Sequence, residues 1–370
     1  MTDKIIIEQP NPPSGSGSGI GVITLNDPRT INALSLEMIR SLYSCLTAWQ
    51  TDPQVAAVFI DSTSERGLCS GGNIRHIYDS MTAQDAHRPN PLALEFFSEE
   101  YKLDQLIHHY PKPIIVWGHG IVMGGGVGLM VGASHRVVTP DSTLAMPEIN
   151  IGLFPDVGAS WFLNRMPAGC GLFLGLTGAS IQGMDALYAG LADYLLTGDT
   201  KANLLCQLKN NPWLPDSNTN NQSVTALLAE LDISAEGKVG PLEMHQSVIQ
   251  NLMDNYDGII PLSIALFDAR ISAENTDTDR WWNSAIDNLK VGCPTTAHLV
   301  FEQLRRGRDR TLAEVFAMEI KMVMQCVAHP DFREGVRALL VDKDRAPKWQ
   351  HQGIANVPSQ WVDEHFESIE

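Results

Sequence analysis

The chain lacks the paired cysteines, the basic surplus and the unbroken apolar run that would each name a function class at once. Six cysteines are scattered through 370 residues with no C-x-x-C pair. Neither a disulfide framework nor a zinc framework is expected, and a reducing compartment, the cytoplasm, is the default setting. Lys and Arg number 26 against 43 Asp and Glu, a formal net charge of −17. So negative a chain repels phosphate backbones, which excludes a sequence-independent nucleic-acid surface. Its one dense basic run, "LRRGRDR" at 304–310, reads first as a solvated helix end and loop, with a phosphate contact as the alternative. The longest apolar stretch, 113–133, is broken by glycines and His119, so no membrane span is expected. The first residues, "MTDKIIIEQP", carry neither a signal core nor an Arg/Ser-rich transit pattern. His108, His109, His119 and His135 show no metal-ligand spacing, so no metal is expected.

What is there is an ordinary globular composition, 44% hydrophobic and 19% charged, long enough for one large core with an appendage or for two domains. Short β-rich runs at 4–8 and 20–26 are joined by the flexible "PPSGSGSG". A helical pattern over 35–50 is opened by Ser35 as N-cap and carries Met38, Leu42, Cys45 and Leu46. Strand signals at 56–62, 113–120 and 135–140 alternate with helical ones, including a long stretch near 91–109. That alternation implies an α/β core with parallel or mixed pairing. Polar, turn-rich residues at 208–223 suggest a linker or surface insertion over about 199–240, and 241–370 is mostly helix-patterned. The expected domains are therefore a core over 1–198, the insertion, and a helical C-terminal region that covers the site.

"GHGIVMGGGVGLMVGA" (118–133) places glycines after a strand and before a helix, yet contains neither G-x-G-x-x-G nor G-x-x-x-x-G-K-[ST]. A nucleotide cradle is disfavoured. Three consecutive glycines instead expose backbone amides at a helix start, where N–H groups lack intrahelical partners and the dipole favours negative charge. "RGLCSGGNI" (66–74) offers a second set. Two such amides converging on one oxygen make an oxyanion hole, though either glycine cluster could equally serve tight packing. Cys69 between them reads as buried filler rather than a nucleophile, because no base is placed by sequence to activate it.

"AMPEINIGLFPDVGAS" (145–160) holds two acids, Glu148 and Asp156, in an otherwise apolar stretch. Taken singly, Glu148 could be a helix-start acid and Asp156 an N-cap. Glu100 could be a polar position on a long helix. The pair Trp281–Trp282 reads as core or interface.

These pieces together resemble the crotonase (enoyl-CoA hydratase/isomerase) superfamily. "NDPRTINALS" (26–35), "GLCSGGNI" (67–74), "IVMGGGVGL" (121–129) and "MPEINIGLFPDVGASWFL" (146–163) occur in its order and spacing. "EEYKLDQLI" (99–107), "CPTTAHLVFEQLRRG" (293–307) and "HPDFREGVRALLVDKDRAPKW" (329–349) are similar to one branch, the 3-hydroxyisobutyryl-CoA hydrolases. The resemblance spans about residues 18–350. It implies an α/β fold with a crotonase-like spiral of ββα turns and a helical C-terminal region. It also implies an acyl-CoA substrate, no separate cofactor, and a possible homo-oligomer. Matched motif to motif, it implies oxyanion-hole amides at Gly72 and Gly125, catalytic acids at Glu148 and Asp156, an acyl-pocket acid at Glu100, and CoA-phosphate contact at Arg29.

The departures are as telling. Hydratases of this superfamily carry a second Glu in a G-G-G-x-E-L pattern, whereas this chain has "GGGVGL", with Gly128 there. Those enzymes usually have Gly where Asp156 stands. The acids are thus arranged for hydrolysis of a short β-hydroxyacyl-CoA thioester, as in valine breakdown. An enoyl-CoA hydratase or isomerase remains the first rival, and a catalytically silent CoA-binding protein the second.

Overall fold

The two β-rich runs at the start form an antiparallel pair, Ile5–Glu8 with Gly19–Leu25, with Ile5 opposite Leu25 and Ile7 opposite Ile23. In this computed structural model the described residues are 3–12, 17–83, 89–167, 169–272 and 276–369. Half of the connector "PPSGSGSG", residues 13–16, therefore lies outside them. Contact density divides the chain into two compact units, each assembled from three segments.

The first unit comprises 1–72, 102–144 and 182–239. Its main sheet has six strands in the order Ile5–Glu8, Gly19–Leu25, Val55–Ser62, Ile114–Gly118, His135–Val138 and Tyr194–Leu195. After the first antiparallel pair every neighbour is parallel. Val55–Ser62 and Ile114–Gly118 are buried along their whole length, as expected for a parallel strand covered on both faces. The helix Leu36–Thr51 begins where Ser35 predicts: the Met38 N–H donates to the Ser35 hydroxyl at 3.3 Å. Its buried positions, Met38, Ile39, Leu42, Cys45, Leu46 and Trp49, keep helical spacing. Three short strands, Ile121–Met123, Thr143–Ala145 and Ile181–Gln182, make a second sheet. The repeated sequence of strand, strand and helix is the ββα progression that the α/β expectation describes.

Residues 199–240 differ from the expected linker. They form helices Lys201–Asn210 and Ser217–Leu231. Leu204, Leu208, Trp213, Val224 and Leu228 join Phe59, Trp117 and Val137 in one buried cluster. Asp216 caps the second helix through the Thr219 N–H at 2.8 Å. Lys201 Nζ meets Asp61 Oδ2 on the neighbouring strand at 2.8 Å. The polar texture that suggests a linker belongs to the outer faces of these helices.

The second unit comprises 73–101, 145–181 and 240–370. Among its described residues it is mainly helical, in keeping with the helix-patterned C-terminal sequence. Capping boxes at Thr276/Asp279 and Thr311/Glu314 start Asp277–Val291 and Leu312–Ala328. Trp282 is buried and stacks between Phe173 (5.2 Å between ring centroids) and His245 (4.9 Å), so it is core rather than a ligand platform.

Candidate active site

Within the first unit the two glycine loops run side by side. The Cys69 N–H donates to the Ile121 carbonyl at 3.1 Å, and the Met123 N–H to the Cys69 carbonyl at 3.0 Å. Gly71, at φ +104°, lies so close to the partner loop that a Cβ there would stand 3.7 Å from the Gly125 nitrogen. A Cβ on Gly126 would stand 2.7 Å from the Cys69 carbonyl oxygen, closer than a side chain tolerates. Backbone at 71 and backbone at 125 are thus neighbours, and the missing Cβ of Gly126 lets the loops approach this closely.

Gly125 is the first residue of the helix Gly125–Val131, after Gly124 at φ +49°. Its amide is one of the helix-start N–H groups with no partner inside the helix. Gly72 forms a parallel bridge to Leu34, whose N–H takes the Gly71 carbonyl at 2.8 Å. In that register the Gly72 N–H is turned away from Leu34. Asn32 stiffens the loop. Its side-chain amide donates to Ser62 Oγ and the Leu68 carbonyl, each at 2.8 Å, and its oxygen accepts from the Asp27 N–H at 2.7 Å. Cys69 is fully buried, with its thiol directed at the Asn32 carbonyl at 3.2 Å. Arg29 is exposed on the turn Pro28–Thr30.

Within the second unit the acids do gather. Glu100 is 2% exposed, Glu148 6%, Asp156 5% and Glu319 0%, so four carboxyl groups are withdrawn from water. Glu148 opens the turn Glu148–Ile151, and its own carbonyl accepts the Leu153 N–H at 3.2 Å. Asp156 Oδ2 accepts the Tyr101 phenol at 2.8 Å. Glu319, on the helix Leu312–Ala328, accepts the Gly158 N–H at 2.8 Å and the Ser160 N–H at 2.9 Å, one on each oxygen. The Asp156 side chain is therefore not the cap of Ala159–Phe162: the residue before that helix is Gly158, and a distant acid takes its amides.

Burial and proximity set the protonation of this group. Burial first, and the Asp156 charge second, hold Glu148 well above the ordinary carboxylate range. The same two causes, in the same order, raise Glu100. Asp156 is raised by burial to about 6, against the phenol bond that favours its ionised form. Burial pushes Glu319 up to about 8, opposed by its two backbone donors. One oxygen of Glu148 and one of Glu100, both inaccessible to water, have no hydrogen-bond partner among the described residues. Buried oxygens of that kind are what a ligand's polar groups or a water satisfy.

The second unit thus brings together Glu100, Glu148 and Asp156, and the first unit brings together the Gly72 and Gly125 loops. Tyr101 and Glu319 were not expected from sequence. The signal for Glu319 was a lone acid inside the apolar run "FAMEIKMVM" (316–324). Among the described residues, no group of three or more His, Cys, Asp or Glu is suited to holding a metal ion.

Residues 20–366 match the family model described as enoyl-CoA hydratase/isomerase. The chain belongs to that family. Its sequence is similar to the mitochondrial 3-hydroxyisobutyryl-CoA hydrolase of Xenopus tropicalis, 36% identical over 94% of this chain and 86% of the relative. The human protein of the same name is 35% identical, with 94% and 86% covered. A solved carnitinyl-CoA dehydratase from Mycobacterium thermoresistibile is similar in fold, with TM-score 0.84 and 30% identity, covering 100% of this chain and 98% of that one. An enoyl-CoA hydratase from Rhodobacter sphaeroides gives TM-score 0.82 and 30% identity, with 99% and 98% covered. The crotonase-like ββα core with a helical C-terminal region is the fold of this family member. The names of the curated relatives place those proteins in mitochondria and lend no support to the cytoplasmic expectation. Among the described residues no helix is long and apolar enough to cross a membrane.

Proposed function

We propose that the protein hydrolyses the thioester of 3-hydroxyisobutyryl-CoA, or a similar short β-hydroxyacyl-CoA, to the free acid and CoA, a step in valine breakdown. The observation that carries this reading is the buried Glu148 carboxyl, with an unpartnered oxygen and Asp156 beside it, in a chain that has Gly128 where a hydratase has its second Glu.

In this mechanism the Gly72 and Gly125 amides hold the thioester oxygen as it becomes an oxyanion. Two aligned donors make the largest single contribution at such a centre, and losing one costs about 3 kcal/mol. Glu148 then acts on the carbonyl carbon by one of two routes. It attacks directly, expelling CoA thiolate and leaving a mixed anhydride that water opens; or it takes a proton from water as that water attacks. A carboxylate raised above its ordinary range by burial is the stronger base for the second route. Asp156 orients Glu148, the water or the substrate hydroxyl. Glu100 contacts the polar end of the acyl group, and Arg29 the phosphates of CoA, which is substrate and not a resident cofactor.

The hydrolase names of the curated relatives support this reading, while the dehydratase and hydratase names of the solved neighbours support the rival, water addition to an enoyl-CoA. Two assays separate them. Thiol release from 3-hydroxyisobutyryl-CoA, fast in the native protein and at least about 10³-fold slower in Glu148→Gln, is the expected result. Equal rates in the two proteins remove Glu148 from the mechanism. Loss of the conjugated absorbance of an enoyl thioester without free thiol sinks the hydrolase reading. Silence in both assays leaves a CoA-binding protein.

A further inference from the structure

Asp156 sits on a turn whose backbone is strained. Val157 has φ +52° and Gly158 φ +87°, so two consecutive residues are left-handed, and the first is β-branched. Within the turn the Asp156 carbonyl accepts the Ala159 N–H at 2.9 Å. Such a backbone persists where its surroundings over-determine it. The surroundings here are mainly the helix Leu312–Ala328. Its Glu319 carboxyl accepts the Gly158 and Ser160 amides on separate oxygens, so rotation or shortening of that side chain loses at least one bond. One turn earlier Phe316 lies where a Cβ on Gly158 would stand, 3.1 Å away, and it packs on Tyr101 at 5.4 Å between ring centroids. From the other side, Gln303 donates to the Pro155 carbonyl at 2.8 Å. A fully buried acid whose two oxygens each accept a main-chain amide is an expensive group to keep in an apolar helix face.

We propose that Glu319 is a positioning residue for Asp156: by clamping the Gly158 and Ser160 amides it fixes the left-handed turn that presents the Asp156 carboxyl, leaving that carboxyl free to take the Tyr101 phenol. This rests on the hydrolase reading, in which Asp156 serves the thioester reaction. The effect of Glu319 passes through the turn.

The test uses the full-length protein with 3-hydroxyisobutyryl-CoA and four variants: Glu319→Gln, Glu319→Asp, Asp156→Asn, and Asp156→Asn combined with Glu319→Gln. Glutamine keeps the volume but replaces one acceptor oxygen with an NH2 group; aspartate keeps the carboxyl but falls one methylene short. For each single Glu319 change, kcat falls about 10- to 100-fold, the cost of misplacing a catalytic group by an ångström or so, while KM stays within about 2-fold. The double variant is no slower than Asp156→Asn alone, because the clamp matters only through the group it places. Amide exchange over 155–162 speeds up in Glu319→Gln and is unchanged over 125–131. The aspartate variant keeps the test decisive where the glutamine protein does not fold. Thiol release by the native protein with additive losses in the double variant overturns the proposal alone. So does a loss in kcat without faster exchange at 155–162, or a Glu319→Asp protein as active as the native one. No thiol release by the native protein overturns the hydrolase reading and this inference with it.

Discussion

Tyr101 donates its phenol to Oδ2 of Asp156 across 2.8 Å, joining the helix Pro91–His108 to the turn after Pro155. Tyrosine here does what an arginine does elsewhere: it favours the ionised acid, but without adding a charge to an apolar setting.

Removing that bond gives the first prediction. Asp156 is raised by burial to about 6, and the phenol opposes that rise. In Tyr101→Phe the carboxyl moves higher still. The acid limb of the kcat–pH profile for thiol release should shift to higher pH, with kcat at pH 7 lower by about 10-fold, the worth of one hydrogen bond to a charged group. A profile unchanged from the native one contradicts the assignment.

Stability carries the same signature with its sign fixed by linkage. For Asp156 the folded value, about 6, lies above the ordinary value of 3.8. Its contribution to stability is therefore fully present below about pH 4 and is lost as pH rises through about 6. Compared with Asp156→Asn, the native protein should lose on the order of 1–3 kcal/mol of unfolding free energy between pH 4 and pH 7. Urea unfolding of both proteins across that range reads the difference. Parallel curves rule out the raised acid.

Gly126→Ala tests the glycine loops. The new methyl would lie 2.7 Å from the Cys69 carbonyl oxygen and 2.9 Å from its Cβ, so the loops must part. Overpacking of this kind costs about 1–3 kcal/mol of stability. Displacing one amide donor should slow kcat by about 10²-fold with a smaller change in KM. Native kcat in a well-folded variant would show that this loop contact does not govern the amides.

Lys201→Met probes the first unit without touching either group of candidate residues. Asp61 is buried, and its pairing with Lys201 at 2.8 Å ties the segment after 198 to the sheet. Leaving the acid unpaired should lower stability by about 1–3 kcal/mol, less than for a wholly buried pair because the lysine is partly exposed. Thermal melting reads the loss, and kcat should not change. A melting temperature equal to the native one makes the pair a surface ornament.

Much of this architecture is legible in the residues. Ser35 announces the helix Leu36–Thr51, continuous apolar runs announce parallel strands, and the order of the glycine and "MPE" motifs carries the family. The helix Ser217–Leu231 was hidden because "SNTNNQS" is polar on most sides. Its buried positions, Asn220, Val224 and Leu228, recur only every fourth residue. Glu319 was hidden for a different reason. Its partners, Gly158 and Ser160, are backbone amides more than 150 residues earlier. Amides leave no side-chain signal, so spacing within the sequence cannot point to them. The lone acid in an apolar run was the one available clue, and it is the same clue that Glu148 and Asp156 give.

The interleaving of segments has a practical consequence for anyone dividing this gene. The second unit draws on 73–101, 145–181 and 240–370, so no single cut yields it intact. A fragment ending near residue 198 would keep Glu148 and Asp156 but shed the helix that secures the latter's turn, and would bare the apolar face of 145–181. Such a fragment should express as an aggregate, and attempts to shorten the protein to a minimal catalyst will fail from that end first.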